Sequence, residues 1–419
     1  MIEDADNLET GRTGPAWPLY GAAFSTSLSL SVCWTAMPFI LSGIGGTEVH
    51  VGYALALNSL TYMAALVLTG SLLGHMDVRR ATLLATVVAL VAAVAMVLAV
   101  LGSQRSEAVN KLAWVWAIIA AGGLGGAAMA LFWPFLMSWV SARFEGLELN
   151  RRFGRYNGSW SGGGLIGPVL GAWLVESSPL WPVVASVVCF GMTVVLLTIA
   201  RSNLSGRAGP RAPGLTLENG HDARTLADYR WMSRIALFCS WACQAIARSQ
   251  FALLFVALGY TEAQFGLYYG VFALCNFLAL VGAGRWAFWH FKPGPVFVSQ
   301  AMMFAALLMM VFGRTLPVFF FSAVVLGIGF GFSYCSHLYY GACGSRNRSA
   351  RMAIHETVIS LGITIGATGG GYFAKNVGAY APYWFVFALV GSGGLLQLSI
   401  HFVSRTLIVR RQKAATRRL

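Results

Sequence analysis

Charge is scarce in this chain of 419 residues. Only 11% of the residues are charged, whereas 57% are hydrophobic, and the mean hydropathy is +0.67. A soluble protein of this length needs a far more charged surface to stay in solution. The composition therefore excludes a water-soluble globular protein and indicates a membrane protein.

Sequence motifs of several enzyme classes are absent. The chain contains no GxxxxGK[ST] run, and it contains no HExxH or GxSxG spacing. It also has no soluble segment long enough to house a nucleotide site. These absences argue against a nucleotide-driven pump and against a membrane hydrolase, so we expect neither an enzyme nor a cofactor.

Paired cysteines are missing as well. All seven cysteines fall within or at the ends of apolar runs, and no loop offers a pair: they are Cys33, Cys189, Cys239, Cys243, Cys275, Cys335 and Cys343. Cysteines in such positions are usually small apolar packing residues. We therefore predict no disulfide and no metal site.

Twelve long apolar runs are present instead. Each has the roughly 20 residues that a membrane-spanning helix needs, and none shows the alternation of a membrane barrel. The predicted spans are 17–43, 50–73, 81–102, 112–142, 157–175, 180–200, 231–257, 264–284, 295–313, 316–342, 352–374 and 381–403. The pattern predicts an all-α, polytopic membrane protein with twelve transmembrane helices.

The second half of the chain repeats the first at an offset of about 214 residues. GTEVHVG from Gly46 is repeated as YTEAQFG from Tyr260. The matched positions are Thr47, Glu48 and Gly52 in the first copy and Thr261, Glu262 and Gly266 in the second. Membrane chains made of two similar halves usually hold their working site between the halves.

The repeat and the composition divide the chain into five parts. They are an N-terminal segment 1–16, a six-helix bundle 17–200, a polar linker 201–230 rich in Gly, Pro and Arg, a second bundle 231–404 and a basic tail 405–419. The linker has no apolar periodicity, as expected for a connection between two halves.

Two further helix pairs resemble each other. GGLGGAAMALFWPF resembles LGIGFGFSYCSHLY, which places Trp133 opposite His337, and NGSWSGGGLIGPVLGAW resembles ETVISLGITIGATGGGY at an offset of 199, which pairs Gly163 with Gly362. Glycines let helix backbones approach closely and slide. Static packing explains glycines equally well, so both readings remain open.

The net charge of +14 is explained by topology. With both termini on the cytoplasmic side, the outward loops hold only Arg105, Lys111, Arg314 and Lys375 of the 29 lysines and arginines. This asymmetry is the positive-inside bias. It predicts an inner plasma membrane protein with cytoplasmic termini, in contact with the lipid bilayer and without a nucleic-acid partner.

The whole arrangement resembles the major facilitator superfamily. The best local marker is the loop after the second span, with Gly70, Asp77, Arg79 and Arg80, and its second-half equivalent, with Gly284 and Lys292. In that family the loop latches the two halves in the outward-open state through an acidic residue. This chain departs from the pattern, because Gly74 and Phe288 occupy the acidic positions.

Arg248 is the sharpest candidate for a binding residue. It lies about 15 residues into the seventh span, near the bilayer midplane, where a lone Arg costs roughly 2.5–3.5 kcal/mol on insertion scales. Ser240, Gln244, Arg248 and Phe251 form a helical stripe that we expect to face a central cavity. The alternative is a structural arginine bound to helix carbonyls.

Glu356 is the only acidic residue near the interior of a predicted span. It adjoins His355, and His337 lies near the end of the preceding span. A carboxyl beside a histidine can exchange protons near neutral pH. The alternative is that Glu356 caps the helix N-terminus and offsets Arg351.

Other polar and aromatic residues could line the cavity. They are Trp34, Asn58, Tyr62, Trp133, Trp160, Asn276 and Tyr334, together with His337. A midplane pocket with aromatic walls and few polar groups suits a small organic solute. Aromatic residues in membrane helices also serve as packing residues and interface anchors, so both roles stay open.

The combined pattern favours a secondary active transporter. We expect it to move a small-molecule substrate by alternating access, as a monomer, with protons as a candidate coupling ion. The alternative is a transporter-like sensor or assembly protein that binds a solute without moving it. The sequence does not define the substrate, although Arg248 favours an anionic or polar molecule.

Overall fold

A computed structural model describes residues 16–72, 76–106, 111–141, 146–200, 223–286, 288–343 and 348–416. Within these ranges the chain is helical apart from short turns, and no strand occurs. The first half contains α1 (Trp17–Gly43), α2 (Glu48–Leu72), α3 (Val78–Arg105), α4 (Lys111–Ser141), α5 (Gly146–Ser177) and α6 (Trp181–Ile199). The second half contains α7a (Ala223–Arg248), α7b (Gln250–Ala257), α8 (Glu262–Arg285), α9 (Pro293–Phe312), α10 (Leu316–Ala342), α11 (Arg348–Asn376) and α12 (Ala381–Thr416).

The helices follow the apolar runs of the sequence. In the described part of the chain, ten helices are long and apolar enough to cross a membrane. The other two are α5 and the interrupted helix α7a–α7b, which carry the most polar and small residues. The prediction of an all-α polytopic membrane protein is confirmed.

Several helices extend beyond the predicted spans. α5 begins at Gly146 and α11 at Arg348, both before the predicted starts, while α7a begins at Ala223 inside the predicted linker and α12 continues to Thr416 in the basic tail. Hydropathy marks where a chain enters the bilayer, whereas Arg, Lys and Glu continue a helix readily in water. Residues 1–15 and 201–222 of the predicted terminus and linker lie outside the described ranges.

The two halves pack their helices in the same way. In the first half α1 packs on α5 and α6, α4 packs on α2 and α3, and α3 packs on α6. In the second half α7a packs on α11 and α12, α10 packs on α8 and α9, and α9 packs on α12. The internal repeat of the sequence therefore corresponds to two equivalent six-helix bundles.

The repeated signature builds equivalent turns in the two halves. Gly45 and Gly259 have φ angles of +93° and +92°, the left-handed conformation that lets a chain leave a helix at glycine. Thr261 N–H donates to Gln264 Oε1 (3.0 Å), and Thr261 Oγ1 accepts from Gln264 N–H (3.2 Å). The first copy uses His50 in place of the glutamine. The signature thus encodes a helix end followed by a capped helix start.

Contacts between α2 and α4, and between α8 and α10, give the register of the repeat. Gly126 lies against the Asn58 carbonyl, and Gly327 lies against the Phe272 carbonyl. Asn58 and Phe272 are 214 positions apart, so the contacts make Gly126 equivalent to Gly327.

This register shifts the sequence alignment of the same two helices. It makes Trp133 equivalent to Tyr334, three residues before His337. Glycine-rich segments match one another in several registers, so composition alone did not select the one that the carbonyl contacts require.

Glycines within each half hold helix backbones together. A Cβ at Gly163 would lie 2.5 Å from the Phe24 carbonyl oxygen, and a Cβ at Gly362 would lie 2.7 Å from the Phe238 carbonyl oxygen. Phe24 and Phe238 are again 214 positions apart. These α1–α5 and α7a–α11 contacts leave no room for a methyl group.

Gly362→Ala is therefore expected to lower the melting temperature of the purified protein. Overpacking of this kind typically costs about 1–3 kcal/mol. Gly191→Ala is the matched control, since nothing lies within 4 Å of a Cβ there and alanine gains about 1 kcal/mol of helix propensity. Equal effects of the two variants in a thermal-unfolding measurement would contradict the packing role.

Candidate functional site

The two halves meet through two equivalent helix pairs. α2 packs against α11, and α5 packs against α8. A Cβ at Gly371 would lie 2.7 Å from the Glu48 carbonyl oxygen and 3.3 Å from Gly52 Cα, and a Cβ at Gly266 would lie 2.8 Å from the Pro168 carbonyl oxygen. Gly52 and Gly266 are the glycines of the repeated signature. The signature therefore also supplies glycines at which the backbones of the two halves approach each other closely.

Polar and aromatic contacts reinforce the same end of the interface. Ala263 N–H donates to Glu176 Oε1 (2.9 Å), and Gln250 Nε2 donates to the Glu48 carbonyl (3.1 Å). Phe39 and Phe265 meet edge to face with their ring centroids 5.6 Å apart. α4 and α10, whose last turns lie on the side of the chain termini, do not pack closely on one another in the described part of the chain. The crevice between the halves is closed at the α1–α2 and α7b–α8 turns.

A small pocket lies in this crevice. Its empty volume is about 200 Å³, with room for about one water molecule. The lining residues come from α1, α2 and the end of α7a: Trp34, Met37, Pro38, Val51, Leu55, Arg248 and Ser249. Trp34 and Arg248 are equivalent in the repeat, so the pocket lies where the two halves face each other.

Arg248 is the only charged residue that lines this pocket. Its Nε is buried and has no hydrogen-bond partner, and its Cζ lies 5.5 Å from the centroid of the Tyr269 ring. Tyr269 is held in place by a hydrogen bond from Gln244. Among the described residues, no carboxylate pairs with Arg248. A cation held against an aromatic face without an anion is suited to bind one.

A break in the seventh helix places Arg248 at the end of α7a. The Ser249 hydroxyl donates to the Ala245 carbonyl (2.7 Å), and Ser249 adopts φ −102° and ψ −74°, outside the regular helix. Serine bonds to the preceding turn commonly bend helices. α7b restarts at Gln250.

The same break removes Phe251 from the polar stripe. Phe251 is fully buried and packs against the rings of Phe255, Tyr268, Phe319 and Tyr383, all in the second half. The stripe predicted from helical spacing assumed an unbroken helix. The structure brings Arg248 and Trp34 together but places Phe251 in the core of its own bundle.

A second polar site surrounds Glu356 on α11. Tyr62 on α2 donates its hydroxyl to Glu356 Oε2 (3.2 Å), which is a hydrogen bond between the halves. Tyr156 on α5 and Tyr334 on α10 lie close enough to interact electrostatically with the same carboxyl. Tyr62 and Tyr334 are sequence-predicted residues, whereas Tyr156 was missed because it lies in a polar segment just before the predicted span 157–175. Among the described residues, no Lys or Arg pairs with Glu356.

The position of Glu356 excludes its role as a helix cap. α11 begins at Arg348 and has no acidic residue in its first turn. Glu356 therefore lies in the third turn, beyond the reach of the unsatisfied N–H groups. The cap alternative is wrong because the helix starts earlier than the apolar run. The side chain of Arg351 lies outside the described part of the structure.

Two histidines, one of them next to Glu356 in the chain, form a buried pair. The Nδ1 atoms of His337 and His355 are 2.7 Å apart, and the two rings stack with centroids 4.9 Å apart. The Tyr334 ring lies edge to face with His355 at 4.8 Å. His355 Nε2 is buried without a partner. The structure thus brings Tyr62 and Tyr334 to the Glu356 carboxyl and pairs His337 with His355 beside Tyr334.

Other predicted cavity residues form hydrogen bonds or ring contacts within their own halves. Asn58 Nδ2 donates to the Gly122 carbonyl (2.8 Å), and the Trp160 indole donates to Asn157 Oδ1 (3.1 Å). Trp133 is half-buried and lies edge to face with Phe132, while Asn276 Oδ1 is buried beside Gly331 without a partner. Their roles in binding remain predictions.

The predicted gating loop after α2 is attached to its own half. Asp77 Oδ1 accepts from Arg79 N–H (3.3 Å) at the start of α3, and the Arg79 guanidinium donates to the Thr198 carbonyl at the end of α6 (2.8 Å). Arg80 is exposed, and Gly70 lies in the last turns of α2. Gly74 lies outside the described residues.

The equivalent loop after α8 is held by aromatic packing. Gly284 and Lys292 are both exposed, and Tyr340 Oη accepts from Phe291 N–H (2.9 Å). Tyr229 Oη donates to the Phe291 carbonyl (2.5 Å). A latch between the halves at these loops stays a prediction.

A family model described as the Major Facilitator Superfamily matches residues 19–342. This chain belongs to the major facilitator superfamily. The resemblance inferred from the sequence is confirmed, and the chain is a membrane transporter rather than an enzyme. None of the curated protein sequences matches it.

Solved structures of this superfamily share the fold. A POT family transporter in complex with 5-aminolevulinic acid gives a TM-score of 0.70 at 13% identity, covering 93% of this chain and 96% of the other. A bacterial homologue of the human lysosomal transporter Spinster, inward-facing and unoccupied, gives 0.65 at 14% identity, covering 94% and 97%. The nucleoside transporter NupG gives 0.66 at 8% identity, covering 92% and 99%. At these identities the likeness shows the fold alone.

The described residues include no group of three or more His, Cys, Asp and Glu side chains that could hold a metal ion. Among the described residues, this major facilitator protein places Arg248, Glu356 and several tyrosines in its crevice. They are suited to bind a solute and to hold a proton.

Proposed function

We propose that this protein is a secondary active transporter that moves a small organic solute by alternating access, with proton coupling at Glu356. The observation that carries the proposal is the crevice between two equivalent halves, closed at one end by glycine contacts that the repeat supplies twice. Such contacts can separate and re-form without rearranging side chains. A solute bound between the halves would then be exposed to one side at a time.

The charge distribution supports an orientation for this state. Loops on the side of the termini carry most of the basic residues, which favours cytoplasmic termini in the inner plasma membrane. The closed turns then face outward, and the structure corresponds to an inward-facing state. We propose that the protein acts as a monomer, because each chain contains both halves of the site.

The Tyr62–Glu356 bond supports proton coupling. An ionised carboxylate accepts a stronger hydrogen bond than a neutral carboxyl. Loss of the proton should therefore strengthen this bond between the halves and favour the inward-facing state. Binding of a proton should weaken the bond and favour the opposite state.

Distance measurements by electron paramagnetic resonance test this proposal without a known substrate. Nitroxide labels are placed in a variant whose seven native cysteines are replaced. One pair, Ser42 and Val377, reports on the outward side, and the other, Ile199 and Val403, reports on the side of the termini; all four residues are exposed. We expect two populations whose distances change in opposite directions at the two ends. One unchanging distance for each pair between about pH 5.5 and 8.5 would contradict the proposal.

A further inference from the structure

The crevice contains two opposite charges that do not neutralise each other directly. Arg248 lines the pocket beside Leu55 of α2, whereas Glu356 accepts its bond from Tyr62 of the same helix. Leu55 and Tyr62 are seven positions apart, which corresponds to about 10 Å at 1.5 Å per residue. The two sites are therefore separate places within one crevice.

The charge of the crevice constrains what can bind. With Arg248 protonated and Glu356 ionised, the two charges sum to zero. Binding of an anion alone leaves a net negative charge in the membrane interior, and binding of a proton alone leaves a net positive one. Uncompensated charge at this depth is unfavourable in a bilayer. Binding of one monovalent anion together with one proton keeps the sum at zero.

We propose that the transporter carries a small organic monoanion together with one proton, in an electroneutral step. This inference rests on the proposed function and assigns its substrate class and stoichiometry. The acidic group of the solute binds the Arg248 guanidinium, and the proton passes from water to the Glu356 carboxylate. No bond within the solute is made or broken.

The lining of the pocket supports an anion over a cation. None of the lining residues is acidic, and Arg248 supplies the only formal charge there. A guanidinium presents paired N–H donors that match a carboxylate or a sulfonate. Trp34 and Tyr269 add aromatic faces beside it. The acidic group binds Arg248 from the crevice, because the pocket itself has room for only about one water molecule, and the body of the solute lies in the crevice as well.

The groups around Glu356 are consistent with a single proton site. Tyr62, Tyr156 and Tyr334 face the carboxyl from three helices, and His355 lies next to it in the chain. Among the described residues, the further groups near the site are His337, which pairs with His355, and Arg234 on α7a, which acts electrostatically on His337. Among these groups Glu356 is the only carboxyl.

Thermal stability of the purified protein tests the substrate class. The probes are benzoate and benzenesulfonate as anions, benzenesulfonamide as a neutral analogue and benzylamine as a cation. We expect stabilisation by the anions only, at least fivefold tighter at about pH 5.5 than at 8.5. Arg248→Gln should abolish it, whereas Arg105→Gln, at the exposed end of α3, should not. Stabilisation by benzylamine, no stabilisation by either anion, or anion binding unchanged in Arg248→Gln would overturn the assignment.

Uptake of labelled benzenesulfonate into proteoliposomes tests the stoichiometry. This anion does not itself carry a proton, so any coupling must come from the protein. An inward proton gradient should drive accumulation, and a potential of about −100 mV set with valinomycin should leave the rate unchanged. Glu356→Gln should lose the accumulation while keeping exchange. A rate that changes severalfold with voltage would overturn electroneutral symport.

The two proposals fail in different ways. If the distances between the labels do not change at either end of the crevice, alternating access itself is contradicted. If the distances between the labels change with pH but anion binding is unchanged in Arg248→Gln, the proposed transport function still stands. Only the proposed substrate class is then contradicted.

Discussion

Glu356→Gln is expected to abolish the pH dependence of the conformational equilibrium. If one proton couples to the change of state, the ratio of the two populations shifts by up to tenfold per pH unit in the wild type. Glutamine is neutral at every pH and can still accept the hydrogen bond from Tyr62. The ratio should therefore become constant, and its value should resemble that of the wild type at low pH.

The same labelled pairs measure this effect. Glu262→Gln is the control, because Glu262 lies in the first turn of α8, at the end of the crevice opposite to Glu356. Tyr62→Phe should weaken the pH response and reduce the population of the inward-facing state at high pH, since the bond through which the proton acts on the halves is lost. An unchanged pH response in Glu356→Gln would assign the proton to another group, and the His337–His355 pair would be the next candidate.

Gly52→Leu is expected to prevent closure of the outward end and to reduce transport by more than tenfold. Gly52 lies against the Ala367 backbone and Gly371 of the opposite half. A leucine side chain needs space that exists only when the halves separate. An overpacking cost of about 1–3 kcal/mol in the closed state corresponds to a shift of roughly 5- to 150-fold toward the open one.

Distances between labels at Ser42 and Val377 measure the shift directly, and they should lengthen. Gly191→Leu provides the control, since nothing lies within 4 Å of a Cβ at that helical position. Gly52→Ala should give a smaller change in the same direction, and it separates a gate effect from misfolding. Unchanged distances in a folded Gly52→Leu variant would show that the outward end does not close through this contact.

The backbone contacts of the glycines distinguish two roles that the sequence alone does not distinguish. Gly163 and Gly362 lie between helices of the same half, where their contacts are static. Gly52 and Gly371 lie between the halves, where contacts must break if the halves rock. In sequence both kinds are glycines in apolar runs, because helix-packing motifs do not specify whether the facing helix belongs to the same bundle.

The sequence was sufficient to identify Arg248 as a candidate site residue, but it was not sufficient to place Phe251. The cost of an unpaired Arg in a membrane span was enough to mark position 248. The prediction that the helical stripe continues to Phe251 is wrong, because the helix breaks at Ser249. The hydrogen bond from the Ser249 hydroxyl to the Ala245 carbonyl at this break cannot be inferred from periodicity. Tyr156 was missed for a related reason. α5 begins in a charged segment at Gly146, before the start of the predicted span at residue 157.

The sequence by itself determined the membrane class, the apolar spans and the two-fold repeat, because hydrophobic length and internal similarity are local properties of the chain. It also singled out Arg248 and Glu356, since charges in apolar runs are costly wherever the helices pack. Only the tertiary structure decided which groups surround those charges. The Tyr62–Glu356 bond, the Trp34–Arg248 pocket and the glycine contacts each join helices far apart in sequence, and their geometry depends on how the two bundles meet.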